Sequence, residues 1–450
     1  MKTKYSIVSL RNLDSDDRLD AEYYQPEYLL LYENLKKLNT NLLIKFAYIT
    51  DGEHGSPEWD ENSGIRYITA ERIKENYLED GEYDYISKKQ DERNARSRLN
   101  ENDVLIYSVG IYAGLASKME KHLLPANIPR SVAIMRLESD EYTPEYLSLF
   151  LNSKYGKFQT ARLRAGNAQP MLALEQIKKI LIPKIDKNIQ RKLSDMYNEA
   201  YSARIDSKIK YQEAVTLVIN ELHMSQSDLK NNMTYVLNLT DINDRLDAEY
   251  YQPKYKRIIE KIKKYEHGYD LIKNRFNQNK NQIKMNQNEY AYIEIGDISI
   301  YNGELYPHII KKENLPDNAK IALNKGNLLI SKVRPNRGAI AIFDLDLKNP
   351  VASGAFTVLS NKDEIKIETL AILLKTEYYR ELLLKYNIGA SYPVIKDEDI
   401  LNLPIPLIER DIQERISEKI KDSQNLLAKS RRLLEQADQI VEKEIERMIN

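Results

Sequence analysis

The chain has 450 residues, of which 42% are hydrophobic, so two or three domains with cores of their own are expected. Its 67 basic and 68 acidic residues give a net charge of −1, which excludes a polycation held to nucleic acid by bulk charge alone. The absence of cysteine excludes disulfides, thiolate catalysis and cysteine-based metal sites, and the five histidines are too scattered to pair on one helix face.

Targeting and membrane signals are also missing. The sequence has no run of eighteen apolar residues. The uncharged stretch near its start ends at Arg11 and is too short to be the apolar core of a signal peptide. We therefore expect a cytosolic protein that contacts no membrane. Neither a metal ion nor a cofactor is expected.

An opening motif, Arg-Leu-Asp-Ala-Glu-Tyr-Tyr-Gln-Pro, occurs twice, at 18–26 and at 245–253. The two motifs are 227 residues apart, and later landmarks such as Pro183 and Pro406 are 223 apart, so the chain is an internal duplication. Both copies keep the motif nearly unchanged. We interpret its tyrosines as structural, packing each copy against a helical spacer or a partner; a stacking platform for bases is the alternative.

Each copy continues with the same order of parts. Segments rich in Ile, Val and Tyr predict strands at 65–69 and 104–109, and again at 290–295 and 327–333. An amphipathic helix is predicted over 144–155 and over 367–378. A loop follows, Gly166-Asn167-Ala168-Gln169-Pro170 or Gly389-Ala390-Ser391-Tyr392-Pro393, and a segment ending in Ile-Pro closes each globular part.

Two long segments without Gly or Pro follow the Ile-Pro closures. Residues 186–222 and 409–449 are dense in Glu, Lys, Gln, Leu and Ile, which predicts long helices. In the second segment Leu426, Leu433 and Ile440 recur at every seventh position, as in a coiled-coil seam. Each helix would be roughly 50 Å long. Its nearest apolar partner is its own duplicate, packed antiparallel, although packing on its own globular part is the alternative.

These parts predict an α+β fold. It consists of two duplicated mixed α/β domains separated by two long helices packed as an antiparallel coiled coil, with pseudo-two-fold symmetry. The predicted boundaries are 1–185 for the first domain, 186–230 for the first spacer helix, 231–408 for the second domain and 409–450 for the second spacer helix. A clamp of this kind suits a ligand with its own dyad, and duplex DNA is the obvious example.

Basic and amide side chains cluster locally in both domains, and these residue types contact phosphates or base edges. The run 273–284 has no acidic residue, although a solvated loop explains it as well, and a separate basic turn at 331–338 follows a predicted strand. In the first domain one cluster lies at 93–98 and another lies beside the Gly-to-Pro loop. The candidate DNA-binding residues are Arg93, Arg96, Arg98, Arg162, Arg164, Asn167, Gln169, Lys273, Arg275, Asn277, Lys280, Lys332, Arg334, Asn336 and Arg337.

The order of opening motif, Gly-to-Pro loop, Ile-Pro closure and long helix resembles the specificity subunit of Type I restriction–modification systems, over essentially the whole chain. The resemblance implies two target-recognition domains, each reading one half of a bipartite asymmetric site in the major groove of double-stranded DNA, with the helices fixing the gap. It also implies that two adenine methyltransferase subunits dock on the helices and that ATP-dependent restriction subunits complete the complex. Recognition residues vary within this family, so the candidates depend on their chemistry alone.

Catalytic motifs are missing from the sequence. An adenine methyltransferase needs an Asn/Asp-Pro-Pro-Tyr/Phe turn and a motor needs a Gly-x-x-x-x-Gly-Lys loop, and neither occurs. Asp346, Glu364 and Lys366 could form a nuclease-like set, but the first copy has no counterpart. We therefore predict a non-catalytic DNA reader. The rival hypotheses are a duplicated coiled-coil interaction scaffold without nucleic-acid binding, and an enzyme that cleaves DNA through that set.

Overall fold

The computed structural model describes residues 7, 20–166, 170–242, 245–362, 365–389 and 391–450. The predicted site residues Asn167 and Gln169, and Glu364 of the nuclease-like set, lie outside these residues. The chain divides into two compact units. Unit 1 comprises Met1–Arg204 with Leu427–Asn450, and unit 2 comprises Ile205–Leu426.

Unit 1 is built on a four-stranded antiparallel sheet flanked by helices. Its helices are α1 (Pro26–Lys36), α2 (Lys88–Arg93), α3 (Pro144–Asn152), α4 (Lys154–Leu163) and α5 (Leu174–Ile177). Its strands are β1 (Thr40–Leu42), β2 (Ala47–Asp51), β3 (Arg66–Tyr67), β4 (Ile73–Lys74), β5 (Tyr77–Leu78), β6 (Val104–Tyr107), β7 (Ala116–Lys118), β8 (Ala126–Asn127), β9 (Val132–Leu137) and β10 (Leu181–Pro183). The main sheet has the order β2-β9-β6-β7. Both of its faces are buried, because Val104 and Leu105 of β6 enter different cores.

Unit 2 has two four-stranded sheets. Its helices are α7 (Pro253–Lys263), α8 (Ile272–Arg275), α9 (Ile367–Lys375), α10 (Glu377–Lys385) and α11 (Asp397–Leu401). Its strands are β11 (Tyr269–Leu271), β12 (Phe276–Gln278), β13 (Glu289–Ile293), β14 (His308–Lys311), β15 (Ala319–Ala322), β16 (Asn327–Ser331), β17 (Ile340–Phe343), β18 (Pro350–Ser353), β19 (Phe356–Asn361) and β20 (Pro404–Pro406). The sheets have the orders β12-β19-β16-β17 and β14-β13-β18-β15.

The duplication is visible in strand pairing. The antiparallel order β2-β9-β6-β7 of unit 1 is repeated as β12-β19-β16-β17 in unit 2. The short pair β1–β10 is repeated as β11–β20, and the parallel pair β3–β8 is repeated as β13–β18. The predicted mixed fold of two duplicated, sheet-rich parts is therefore confirmed.

The prediction of one continuous amphipathic helix in each copy is wrong in one respect, because the structure has two successive helices there. α3 ends before Ser153 and α9 ends before Thr376, and both of these residues have extended backbone (ψ 166° and 150°). The Ser153 hydroxyl caps the helix that follows it by accepting from the N–H of Gly156, whereas the Thr376 hydroxyl donates back to the carbonyl of Leu373 at 2.6 Å. The turn in unit 1 is tight: a Cβ on Gly156 would lie 2.3 Å from the carbonyl oxygen of Phe150.

The predicted long helices are confirmed as α6 (Lys187–Glu221) and α12 (Arg410–Ile449). Within unit 2, the Ser207 and Ser423 hydroxyls are 2.8 Å apart and Lys419 pairs with Glu213, so the two helices run antiparallel. Within unit 1, residues of α6 and α12 share one buried core with α3. The division into units falls inside both helices.

A buried glutamine near the start of each long helix fastens it to its own unit. The Gln190 amide oxygen accepts from the backbone N–H of Thr143 at 2.9 Å, and that of Gln413 accepts from the N–H of Lys366 at 2.8 Å. Each amide nitrogen also donates to the carbonyl five residues earlier, at 3.2 Å and 2.8 Å. The helices therefore pack on their own globular parts as well as on each other.

Candidate DNA interface

The tyrosines of the first opening motif pack on their own unit rather than forming an open platform. Tyr23 and Tyr24 are buried in the core of unit 1. The Arg162 guanidinium lies 4.0 Å from the ring centroid of Tyr23 and 4.4 Å from that of Tyr32. Arg162, one of the predicted DNA-binding residues, is itself buried, so its position serves packing.

The predicted cluster at 93–98 is an arginine group neutralised by carboxylates. Arg93 pairs with Glu58 at 2.9 Å, and the hydrogen bond from Arg93 lowers the pKa of Glu58. Arg96 pairs with Asp51 at 3.0 Å, and Arg98 pairs with Asp91 at 2.7 Å. All three arginines remain exposed, so their charge is balanced locally without being hidden.

In unit 2 the structure brings together two segments predicted separately. The first, which we call the central loop of unit 2, spans 332–338 between β16 and β17; the second is the Gly-to-Pro loop at 389–393. The backbone N–H of Arg334 donates to the carbonyl of Pro393 at 2.7 Å, and the N–H of Ile395 donates to the carbonyl of Lys332 at 3.0 Å. Val333 and Val394 form an antiparallel bridge. We call this arrangement a loop pair.

Unit 1 repeats the loop pair with the same hydrogen bonds. Its central loop spans 108–114, and its Gly-to-Pro loop is described only at Gly166 and Pro170. The N–H of Gly110 donates to the carbonyl of Pro170 at 2.7 Å, and the N–H of Leu172 donates to the carbonyl of Ser108 at 2.8 Å. Arg164, another predicted residue, donates from Nη1 to the carbonyl of Ile111 at 3.2 Å and so borders the same loop.

The central loop of unit 2 displays cations at fixed positions. Arg334 has left-handed backbone (φ 48°), and its guanidinium lies 5.5 Å from the ring of Tyr392 in the Gly-to-Pro loop. Arg337 is exposed. Asn336, which lies between the two arginines in the sequence, is half-buried. Lys332 pairs with Asp397 at 3.1 Å. Burial opposes the ionised form of Asp397, but hydrogen bonds from Thr357 and Lys332 lower its pKa overall.

The first half of the amide-rich run 273–284 belongs to regular elements, whereas residues 279–284 are mostly exposed and largely without regular structure, as the alternative of a solvated loop expects. Residues 273–275 lie in α8, and residues 276–278 form the edge strand β12. Arg275 pairs with Asp270 at 2.7 Å. The remaining predicted residues of this run, Lys273, Asn277 and Lys280, are exposed.

Sequence reasoning missed three apolar side chains at the loop pair of unit 1. Ile111 and Tyr112 of the central loop are 74% and 52% exposed, and Met171, which forms a bridge with Val109, is 49% exposed. The segment 110–114 carried a signal, since the two glycines that flank Ile111, Tyr112 and Ala113 favour a bend over a regular strand.

The nuclease-like set is not assembled as far as the structure describes it. Asp346 pairs with Lys325 at 2.6 Å, whereas Lys366 pairs with Glu414 at 2.6 Å. Within the described ranges there is no group of three or more His, Asp or Glu placed to hold a metal ion. Over the same described ranges, no helix is both long and apolar enough to cross a membrane.

Comparison with known proteins agrees with this architecture. Residues 267–438 match the Type I restriction modification DNA specificity domain. The chain is 30% identical over 131 residues to the Type I restriction enzyme HindI specificity subunit of Haemophilus influenzae, and 27% identical over 128 residues to the MjaVIII specificity subunit of Methanocaldococcus jannaschii. These alignments span only 28% and 30% of the relatives' own lengths.

A solved structure of the Type I restriction-modification system S subunit from M. genitalium is also similar. The match covers 92% of this chain and 96% of that one, at 12% identity and a TM-score of 0.43. The family match over residues 267–438 and the two curated relatives confirm the resemblance to Type I specificity subunits.

Proposed function

We propose that this chain is the non-catalytic DNA sequence-recognition subunit of a Type I restriction–modification complex. Each unit reads one half of a bipartite asymmetric site in the major groove through its loop pair. The long helices set the gap between the halves and dock two adenine methyltransferase subunits, and restriction subunits join in the full complex. The proposal extends the resemblance beyond the matched segments to the whole chain.

The observation that carries the proposal is the duplicated loop pair. The backbone bonds at Gly110 and at Arg334 are identical in pattern and length (2.7 Å), while the displayed side chains differ. A common frame with different exposed chemistry is what two related readers of two different half-sites require. A general interaction scaffold gives no reason for this combination.

In unit 2 the chemistry favours guanine and phosphate. Arginine pairs bidentately with the O6 and N7 atoms of guanine, which is the commonest specific contact in the major groove. Arg334 and Arg337 lie in a loop fixed by backbone bonds to its neighbour, so they are presented with little conformational freedom to lose. Lys332, already paired with Asp397, is better suited to a phosphate at the rim.

The test is binding of the full chain, with the subunits that copurify with it, to duplex DNA. Arg334→Ala or Arg337→Ala should weaken binding by about 10-fold to 100-fold, the cost of one lost base contact, and relax sequence preference in one half-site only. Lys325→Ala is the matched control, because Lys325 is an exposed cation of unit 2 that lies outside both the loop pair and the long helices. Unchanged binding by both loop variants would remove this loop from the interface.

Copurification separates this proposal from its two rivals. The proposal requires an adenine methyltransferase to accompany the chain and requires affinity to fall steeply with salt through phosphate contacts. A scaffold without nucleic-acid binding would show neither property. Metal-dependent DNA cleavage by the isolated chain would instead support the enzyme.

A further inference from the structure

The two loop pairs share a backbone but differ in charge. Where the central loop of unit 2 has Lys332, Arg334 and Arg337, the corresponding positions in unit 1 are Ser108, Gly110 and Ala113. The positions that would hold guanine-reading cations are therefore neutral in unit 1. A different recognition chemistry must act there if this loop reads DNA.

In place of cations, unit 1 displays an apolar cluster made of Ile111, Tyr112 and Met171. Each of these side chains is about half exposed or more. The bridge between Val109 and Met171 holds the two loops side by side, so the three exposed residues lie on adjoining loops. Apolar side chains grouped on a surface mark a binding site more often than scattered single ones do.

The loop that carries Ile111 and Tyr112 is anchored to the rest of unit 1. The Tyr112 ring stacks on Tyr107 with a centroid distance of 6.4 Å and an interplanar angle of 23°. The N–H of Gly114 donates to the carbonyl of Tyr107 at 2.8 Å and closes the loop. Gly114 has φ 109°, and a Cβ there would lie 2.5 Å from Oγ1 of Thr160, so the loop sits directly on α4.

A guanidinium borders the apolar cluster, because Arg164 donates from Nη1 to the carbonyl of Ile111 at 3.2 Å. An apolar centre with a cation at its edge matches DNA, where base edges lie between two phosphate strands. An apolar protein partner would not call for the arginine.

We propose that Ile111, Tyr112 and Met171 recognise thymine through its C5-methyl group, so that the half-site read by unit 1 depends on apolar contact. Thymine's methyl is the one apolar group that the major groove presents, and the minor groove presents none. The inference rests on the proposed function, since it names the chemistry read by one of its two heads. The two halves of the site then differ in kind: guanine for unit 2 and thymine for unit 1.

The experiment selects DNA from pools of random duplexes with the full chain and its copurifying subunits. One pool contains thymidine, and a second replaces it with deoxyuridine, which lacks only the C5-methyl group. We expect the thymidine pool to yield a bipartite site. We expect the deoxyuridine pool to lose preference in one half only, with about four-fold weaker binding for each contacted methyl removed.

Protein variants assign the affected half to unit 1. Tyr112→Ala and Met171→Ala alter exposed residues, and both should weaken the same half-site that deoxyuridine weakens. They should bind deoxyuridine and thymidine duplexes more equally than the unaltered chain does. Arg334→Ala is the matched control in unit 2: it should weaken the opposite half and leave the deoxyuridine effect intact.

The outcomes distinguish this inference from the proposed function. If no bipartite site is selected from the thymidine pool, the proposed function fails. If a bipartite site is selected but deoxyuridine changes neither half, or changes a half that Tyr112→Ala leaves untouched, thymine reading by unit 1 is overturned while the proposed function stands.

Discussion

Two buried serines provide a stability test in which similar substitutions should change the free energy of unfolding in opposite directions. In unit 2 the hydroxyls of Ser207 and Ser423 bond to each other at 2.8 Å between α6 and α12. The 223-residue correspondence maps these positions onto Ser430 and Ala200 in unit 1. Ala200 has no hydroxyl, and the buried Ser430 Oγ has no hydrogen-bond partner among the described residues.

The expected magnitudes follow from this difference. A buried hydroxyl without a partner costs about 1–3 kcal/mol, so Ser430→Ala should stabilise unit 1 by up to that amount. Ser423→Ala breaks the bond in unit 2 and leaves Ser207 unpaired, so it should destabilise by a similar amount. Both changes make the same small gain in helix propensity, so the propensity term does not produce the difference in sign.

The assay is thermal unfolding of the full chain, with hydrogen exchange of peptides from α6 and α12 to assign each transition to a unit. For units of this size, 1 kcal/mol corresponds to a Tm change of about 2–4 °C. Ser430→Ala should raise the Tm of unit 1, and Ser423→Ala should lower that of unit 2. Ala200→Ser offers Ser430 a partner and is the second probe of the same site. If Ser430→Ala lowered stability as Ser423→Ala does, the proposed correspondence between the two helix contacts would be refuted.

Three further results are expected. Gln413→Leu should lower the Tm of unit 2, because the backbone N–H of Lys366 and carbonyl of Ile408 each lose a buried partner worth about 1–3 kcal/mol, while Gln413→Glu keeps the acceptor and should lose less. Burial, reinforced by Glu75, raises the pKa of Asp438 to about 7, so the folded state holds a proton that the unfolded state has released. Stability should therefore fall as pH rises from about 4 to about 7, and Asp438→Asn should flatten that slope in unfolding measured across this range. One heptad added to each long helix lengthens it by about 10 Å, so the gap in the methylated site should grow by roughly three base pairs if the helices set it.

The architecture could be predicted from the sequence because the features that encode it are periodic or repeated. The recurrence of the opening motif indicated two copies, and the absence of Gly and Pro from 186–222 and 409–449 indicated two long helices. Antiparallel packing followed from the apolar stripe and the duplication. The breaks at Ser153 and Thr376 were not predicted, because a hydroxyl residue inside an apolar periodic segment ends a helix only where tertiary packing bends the chain.

The candidate interface was predicted only in part, because it is made by long-range backbone contacts. The central loop of unit 2 and its Gly-to-Pro loop were identified as separate segments, and nothing local shows that Arg334 bonds to Pro393. Charge alone also could not separate Arg162, which is held in the core by Tyr23, from an arginine such as Arg337 that remains exposed. Which of the candidates contact DNA stays a prediction.

The most direct test of the central claim is sequencing of methylated adenines in cells that express this chain together with its methyltransferase partner. The account predicts one bipartite asymmetric site with a gap of fixed length, and predicts that Arg334→Ala alters the sequence of one half alone. Methylation without a bipartite site, or a pattern that does not change when the loop pairs are altered, would contradict the claim that two duplicated heads read two half-sites.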